Sequence, residues 1–285
     1  MSDHNNKSHV IFIGGGGDKE LKTHIVKNIS EQFKNEVKKN INITTSYHGW
    51  MSETVWNDDV AKEILELKKK DPSTYIAVVG HSYGGSAAVN AAQSLDRMKQ
   101  TEQVLLLYID LMITLDPVSR LHSCPSKRPE SVRYWINIDA DEGKFSMNNL
   151  IASIGGNWGD KVKALADVYF DSKLDHAYAK SMLTTPYELD GTTYTAWDVL
   201  LASAQWGTSD RGPKPRGGFS YAVRQKDTLW AISSHVYGKA SYWWLIRDAN
   251  PKAIPKGSTL IRPGMNLFIP AVLDEVKVIA KRMSR

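Results

Sequence analysis

Apolar residues along the first two thirds of the chain fall into short β-branched runs that alternate with segments of helical spacing. His9-Val10-Ile11-Phe12-Ile13 has strand length and runs into Gly14-Gly15-Gly16-Gly17. Leu21, Ile25, Ile29, Phe33 and Val37 recur every fourth residue, which predicts an amphipathic helix over 19–38. A second strand is predicted from Ile41 to Tyr47. A second helix follows from near Glu53 to Lys70, with Val60, Ile64 and Leu67 inward, and Asp71-Pro72 stops it. Tyr75 to Val79 is a fully apolar run of buried-strand type, followed by a small-residue helical segment from Ser86 to Ala92. Leu111 to Leu115, Val132 to Ile138 and Ala166 to Phe170 predict three more strands. A short helix reaches Leu183, and a last one runs from Thr195 to Trp206. Strands alternating with helices over 1–206 define the α/β class, a mainly parallel sheet with helices on both faces.

The pattern breaks at 207–218, where Gly, Pro and basic residues replace any apolar period and predict a linker. Residues 219–271 read as a separate small βααβ unit. Phe219 to Val223 alternates as a strand, and Asp227 is placed to N-cap a helix carrying Leu229, Trp230, Ile232 and Val236. Ser241 opens a second helix with Trp244, Leu245 and Ile246, closed by Asn250-Pro251. Pro263-Gly264 turns into the strand Leu267-Phe268-Ile269, and residues 272–285 form a basic tail.

Charge separates the two parts. From Phe219 to Arg285 there are 11 Lys+Arg against 4 Asp+Glu, whereas residues 1–218 hold 25 against 27, so the net +5 of the chain belongs to its C-terminal part. That suits an anionic polymer or surface. A single cysteine, Cys124, excludes an internal disulfide and an all-cysteine metal site. The N-terminal residues lack the basic and apolar regions of a signal peptide, and there is no apolar span of transmembrane length. Synthesis in the cytoplasm and export by a route that reads no Sec signal are therefore expected.

The chemistry centres on Gly80-His81-Ser82-Tyr83-Gly84, set between a buried strand and a small-residue helix. Strand, G-x-S-x-G, helix is the context of a nucleophile elbow. The turn forces Ser82 into a strained conformation, and side chains at 80 and 84 would collide with neighbouring elements. The amide of Tyr83, at the helix N-terminus, is a candidate oxyanion donor. The early glycine loop fails as a dinucleotide fingerprint, because no third glycine and no acidic residue follow at the required spacing. It fits a turn supplying a second oxyanion amide, at Gly15 or Gly16. A serine hydroxyl needs a base and the base an orienting carboxylate. His176 follows a late predicted strand and is the favoured base, with His122 its rival. Asp116 closes the strand after the elbow unit and Asp139 and Asp141 close the next, so the acid is open among the three. Gly155 to Gly159 forms a loop that competes between overhanging the site and lying on the surface. No metal or organic cofactor is required.

GHSYGG at 80–85, IGGGG at 13–17 and ITLDPV at 113–118 together resemble lipase-type α/β-hydrolases, over residues 9–185. That resemblance implies Ser82, Asp116 and His176 as the triad of a serine esterase or lipase, and it departs from the family around 140–172, where no lid aligns. KDTLW at 226–230, DAN at 248–250 and RPGMNLFIP at 262–270 make residues 219–270 resemble a LysM module. The resemblance implies binding of peptidoglycan or another N-acetylglucosamine-containing glycan at Asp227, Thr228, Leu229, Asn250, Ala253 and Ile254. Trp230, Tyr237 and Trp243 are left open as core or surface aromatics. A hydrolase joined to such a module resembles antibacterial effectors of type VI secretion machines. This implies an envelope phospholipid or other ester as substrate and an immunity protein and a secretion component as partners. An esterase acting on acylated cell-wall glycan and an inactive glycan-binding adaptor are the alternatives. Nucleic acid is not an expected partner, because the basic excess lies in the glycan-type unit.

Overall fold

Six parallel strands carry the larger part of the chain. The computed structural model describes residues 7–16, 18, 24–54, 57–71, 74–101, 107–119, 124–140, 156, 158–189, 192–207, 219–237, 243–255 and 258–269. In chain order its elements are β1 (Ser8–Ile13), α1 (Ile25–Val37), β2 (Ile43–His48), a 3-10 turn at Trp50–Ser52, β3 (Glu53–Thr54), β4 (Asn57–Asp58) and α2 (Asp59–Lys70). Then come β5 (Tyr75–His81), α3 (Tyr83–Thr101), β6 (Leu111–Leu115), β7 (Trp135–Asp139) and β8 (Val168–Asp171). The unit closes with α4 (Ala179–Thr184), the hairpin β9 (Tyr187–Leu189) and β10 (Thr192–Tyr194), and α5 (Ala196–Gly207).

The main sheet has the order β2-β1-β5-β6-β7-β8, and every neighbour pair is parallel. Parallel strands joined by crossover helices are covered on both faces, which is why β1, β5, β6 and β7 read as continuous apolar runs and are buried throughout. On one face Ile11, Ile13, Ile76 and Val78 pack with Val60 and Ile64 of α2 and Ala88, Ala92 and Leu95 of α3. On the other, the Phe12 ring meets Phe33 of α1 at 5.6 Å, and Phe33 meets Trp197 of α5 edge-on at 6.0 Å. The chain leaves β1 to one side for β2 and returns on the other side for β5. The strand order therefore switches between β1 and β5, where open α/β sheets form a crevice at the carboxyl ends.

Several boundaries differ from the sequence expectation, and the reasons are physical. Helix α1 begins at Ile25 because His24 is left-handed, with φ of 51°. Its N-terminus is served by the buried Asp18, whose Oδ2 accepts from the Val26 amide at 3.1 Å. Residues 19–23 lie outside the described residues. Ile41 stands 87% exposed in a turn, so β2 starts at Ile43. The expected helix start at Glu53 is a hairpin strand instead. Glu53 turns inward, 1% exposed, and its Oε2 accepts from the amides of Val60 and Ala61 at 3.0 and 3.2 Å. A cap of this kind stabilises by about 1 kcal/mol, more than the few tenths separating Glu from other residues in helix propensity. Val132 reaches only an isolated bridge to Ile109, and the β7 ladder begins at Trp135. The β9–β10 hairpin has no counterpart in the apolar pattern.

The chain divides into two compact units, the second beginning at Ser209. In it β11 (Phe219–Ala222) pairs antiparallel with β12 (Asn266–Ile269), and between them lie α6 (Leu229–Tyr237) and α7 (Trp243–Ala249). Val223, Leu229, Ile232, Ile246, Ile254, Leu267 and Ile269 form its core. The α6 cap is Thr228, whose Oγ1 accepts from the Ala231 amide at 3.0 Å. Asp227 instead accepts from the Arg224 amide at 2.7 Å and the Tyr221 hydroxyl at 3.0 Å, which corrects its expected role as cap. Gly264 at φ 88° makes the turn into β12. Gly207, the first residue of the expected linker at 207–218, closes α5 instead, and the rest of that linker, Ser241 and the tail at 272–285 lie outside the described residues. Among the described residues no helix is long and apolar enough to cross a membrane.

Candidate active site

Ser82 joins β5 to α3 with φ of 57°, a conformation costing roughly 1–3 kcal/mol for a residue with a Cβ. Its neighbours hold it there. The Ser82 amide donates to the Leu115 carbonyl at 2.9 Å, and the Val118 amide donates to the Ser82 carbonyl at 3.3 Å. A Cβ at Gly80 would strike the Gly84 carbonyl, and one at Gly84 would strike the Ile13 carbonyl, so strand, helix and β1 close on one another only through glycine. Tyr83 opens α3, and the first amides of a helix have no intrahelical acceptor.

The other two residues arrive from strand ends further along the same edge. Asp116 follows β6, left-handed at φ 42°, and is 1% exposed; its amide donates to the Ile138 carbonyl at 2.7 Å. His176 sits after β8 in a turn that Asp175 builds twice, accepting from the Tyr178 amide at 3.0 Å through its carbonyl and from the Ala177 amide at 2.8 Å through Oδ1. The ring of His176 bridges the pair. Nδ1 lies 2.5 Å from Asp116 Oδ2, and Nε2 lies 2.9 Å from Ser82 Oγ. An ionised carboxylate only accepts, so the proton of neutral His176 is on Nδ1 and Nε2 is the acceptor for the serine hydroxyl. The sequence-predicted Ser82, Asp116 and His176 are thus brought within hydrogen-bonding reach, in the chain order serine, acid, histidine.

Asp139, the rival acid, ends β7 but faces elsewhere. Asn137 Nδ2 donates to one of its oxygens at 2.6 Å and the Tyr169 hydroxyl to the other at 2.9 Å. Burial pushes its carboxyl up to about 6 against those hydrogen bonds. It belongs to a buried network in which Trp135 Nε1 donates to Thr114 Oγ1 at 2.8 Å and Thr114 donates to Asn137 at 2.6 Å. Asp141 and His122 lie outside the described residues, as do Gly155 and Asn157. Trp158, expected on a loop, is 4% exposed and packs in the core, its amide donating to the Pro117 carbonyl at 3.2 Å.

The glycine loop after β1 lies directly against the elbow. A Cβ on Gly15 would fall 2.9 Å from Ser82 Cβ and 3.1 Å from the His81 carbonyl, and one on Gly16 would fall 3.0 Å from the Tyr83 ring. Glycine here lets the backbone come within reach of the serine. Two residues that pattern reading passed over join the site. Trp50 lays its ring over Tyr83 with centroids 5.2 Å apart, and His81 reaches the backbone of His176. Nothing in the sequence signals the first, while the second was visible only as the variable position of the G-x-S-x-G run. Among the described residues no group of three His, Cys, Asp or Glu side chains is placed to hold a metal ion.

In the second unit the residues named for glycan binding divide. Thr228 and Ala253 are exposed and Asp227 is half-buried. Leu229 and Ile254 are buried core residues, which does not fit their expected place in a glycan-binding surface. The Asn250 amide is committed internally: Nδ2 donates to the carbonyls of Ile246 and Phe268 at 2.7 and 2.6 Å, and Oδ1 accepts from the Phe268 amide at 2.7 Å. Trp230 and Trp243 stack at 4.7 Å, with Trp230 42% exposed.

Residues 10–109 match the family model of class 3 lipases. That stretch runs from β1 through the elbow and stops before Asp116 and His176. In structure the chain is similar to a protein described as a YdeN-like hydrolase from Pectobacterium atrosepticum, at 11% identity over 61% of this chain and 82% of that one, with a TM-score of 0.29. It is similar to a cutinase-like protein from Cryptococcus sp., at 11% identity over 62% and 90%, TM-score 0.32. It is also similar to an acetylxylan esterase, at 12% identity over 63% and 97%, TM-score 0.31. No curated protein matches its sequence. The lipase match across the elbow and the parallel sheet that carries it define the class: an ester-hydrolysing serine hydrolase of α/β-hydrolase architecture.

Proposed function

We propose that the chain is a lipase-like serine esterase in which Ser82 attacks the acyl carbon of an ester. His176 takes the hydroxyl proton on Nε2 and returns it to the leaving alcohol, and Asp116 holds the ring and stabilises the imidazolium through Nδ1. The amides of Tyr83 and of the Gly15–Gly16 turn receive the oxyanion, in a site where fixed donors act without reorganisation. Water then resolves the acyl-enzyme by the same relay. The bridging of Ser82 and Asp116 by one imidazole, at 2.9 and 2.5 Å, is the observation that carries this reading.

Within this proposal the leading substrate is a phospholipid or other lipid ester of a bacterial envelope, and the βααβ unit is a LysM module that tethers the enzyme to peptidoglycan. Its motif pieces and the order strand, helix, helix, strand support that assignment. The same unit favours a second reading, removal of acyl groups from the wall glycan itself. An antibacterial effector, with an immunity protein as partner, is the setting this pairing of units suggests. The purified protein should hydrolyse p-nitrophenyl esters. Comparison of short chains, long chains, phospholipid vesicles and acetylated peptidoglycan separates the two substrates, and Ser82→Ala should abolish turnover on all of them. Hydrolysis that survives Ser82→Ala removes the serine mechanism.

A further inference from the structure

We propose that His81 is a positioning residue for the base: its Nε2–H holds the backbone carbonyl of His176, so that two consecutive residues, His81 and Ser82, grip the backbone and the ring of the same histidine. The inference rests on the serine mechanism above and extends it to a residue that touches none of the reacting atoms.

His81 is the last residue of β5 and is 3% exposed. Its Nε2 lies 2.7 Å from the His176 carbonyl oxygen, and the two rings face each other at 4.8 Å with a 36° tilt. A carbonyl oxygen only accepts, so the His81 proton is on Nε2 and the tautomer is fixed. His176 sits in the connection between the end of β8 at Asp171 and the start of α4 at Ala179, which Ser172 fastens to the Asp139 carbonyl and Asp175 folds into a local turn. A general base must keep its place to within about 0.5 Å, and a misplacement of about 1 Å can cost roughly 100-fold in rate. The contact from His81 ties this turn to β5, a fully buried strand paired on both sides, one residue from the nucleophile.

The groups around His81 explain why a histidine serves here. His176, Asp116 and Asp18 face it. Burial, helped by His176, holds the His81 ring down to about 4, although Asp116, Asp18 and the carbonyl contact pull the other way. It therefore stays neutral when His176 takes up its proton, and no second cation opposes the imidazolium across the 4.8 Å stack. A phenylalanine would fill the space but leave the carbonyl unheld. A glutamine can carry an amide donor to the same place.

The test is made in the full chain with a short p-nitrophenyl ester. His81→Phe should lower kcat roughly 10- to 100-fold with KM within about two-fold. It should also move the base limb of the kcat/KM profile to lower pH, because a less aligned Nδ1–Asp116 contact stabilises the imidazolium less. His81→Gln should recover most of kcat and the limb. A packing role alone predicts equal losses in the two variants with an unmoved limb, and that result, or a fully active His81→Phe, overturns the proposal. Imidazole NMR of the unaltered protein decides the matter even where His81→Phe does not fold. An Nε2–H tautomer, neutral from pH 5 to pH 9, supports the proposal; an Nδ1–H tautomer or an ordinary titration near pH ~6.5 overturns it. Ser82→Ala, run alongside, reports separately on the mechanism beneath.

Discussion

Asp116 and Asp139 end neighbouring strands and both are buried, yet it is Asp116 that meets His176. The difference comes from the backbone. Asp116 takes a left-handed conformation before Pro117, which turns its carboxylate toward the loop after β8, whereas Asp139 closes a regular strand and is held by Asn137 and Tyr169. The apolar pattern alone does not separate the two, because both follow runs of similar length and the deciding φ leaves no mark in composition; only the resemblance of ITLDPV to the lipases implies Asp116. Asp116→Asn should lower kcat by about 10⁴, since the amide favours the wrong tautomer of the histidine. Asp139→Asn should stay within about ten-fold of the parent, because an amide can still accept from Tyr169 and the site's relay is untouched. Steady-state kinetics on one soluble ester checks both, and an inverted order would reassign the acid.

At the scale of elements, what was legible depended on whether the determining contact was local. The elbow declared itself because the strain at Ser82 demands glycine at nearby positions in the same segment. Strand β6 matched its expected bounds because it is buried on both faces and ends at Asp116-Pro117. The starts of α1 and α2 were misplaced because each is capped by a carboxylate eight or so residues earlier, Asp18 and Glu53, beyond the reach of any capping-box pattern. Glu53 has a further consequence. Ser94 Oγ stands 3.1 Å from its Oε1 and 2.7 Å from Asp58 Oδ1, so one hydroxyl hydrogen faces two carboxylates. Burial raises Glu53 from 4.5 to about 8, against the hydrogen bonds it accepts. With the folded value above the unfolded one, the folded state binds more protons between these limits, so this group makes stability fall as pH rises from 4.5 through 8. Glu53→Gln keeps an acceptor for Val60 and Ala61 and supplies a donor to Ser94. Thermal melts should show it matching the parent near pH 5 and melting higher at pH 9. A parent whose stability is flat across that range refutes the protonated carboxyl. Gly84→Ala tests the elbow as an element: with β1 backbone in the way, it should destabilise by about 1–3 kcal/mol in chemical denaturation and lower kcat as well.

On the scale of the whole molecule, the reactive residues come from the carboxyl ends of β1, β5, β6 and the segment after β8, all within the unit that ends before Ser209. The second unit has its own core of Val223, Leu229, Ile232 and their neighbours, and its own antiparallel pair. A small soluble ester needs nothing that this unit provides. If the unit is the proposed tether, a polymeric or membrane-bound substrate does, because a tether raises the enzyme's local concentration without changing its chemistry. Deleting residues 219–285 should therefore leave turnover of a short p-nitrophenyl ester within about two-fold, while co-sedimentation with purified peptidoglycan is lost. The basic charge of that part of the chain, 11 Lys+Arg against 4 Asp+Glu, supplies a rival cause for any sedimentation. Recognition of the glycan by a groove should persist at about 1 M salt, where the screening length is only about 3 Å, whereas attraction to an anionic polymer should vanish there. Retention in high salt, reduced by a bulky substitution at the exposed Thr228 or Ala253, would support the glycan tether. Loss of all binding in salt would leave the unit a general basic anchor and would favour the lipid ester over the wall glycan as substrate.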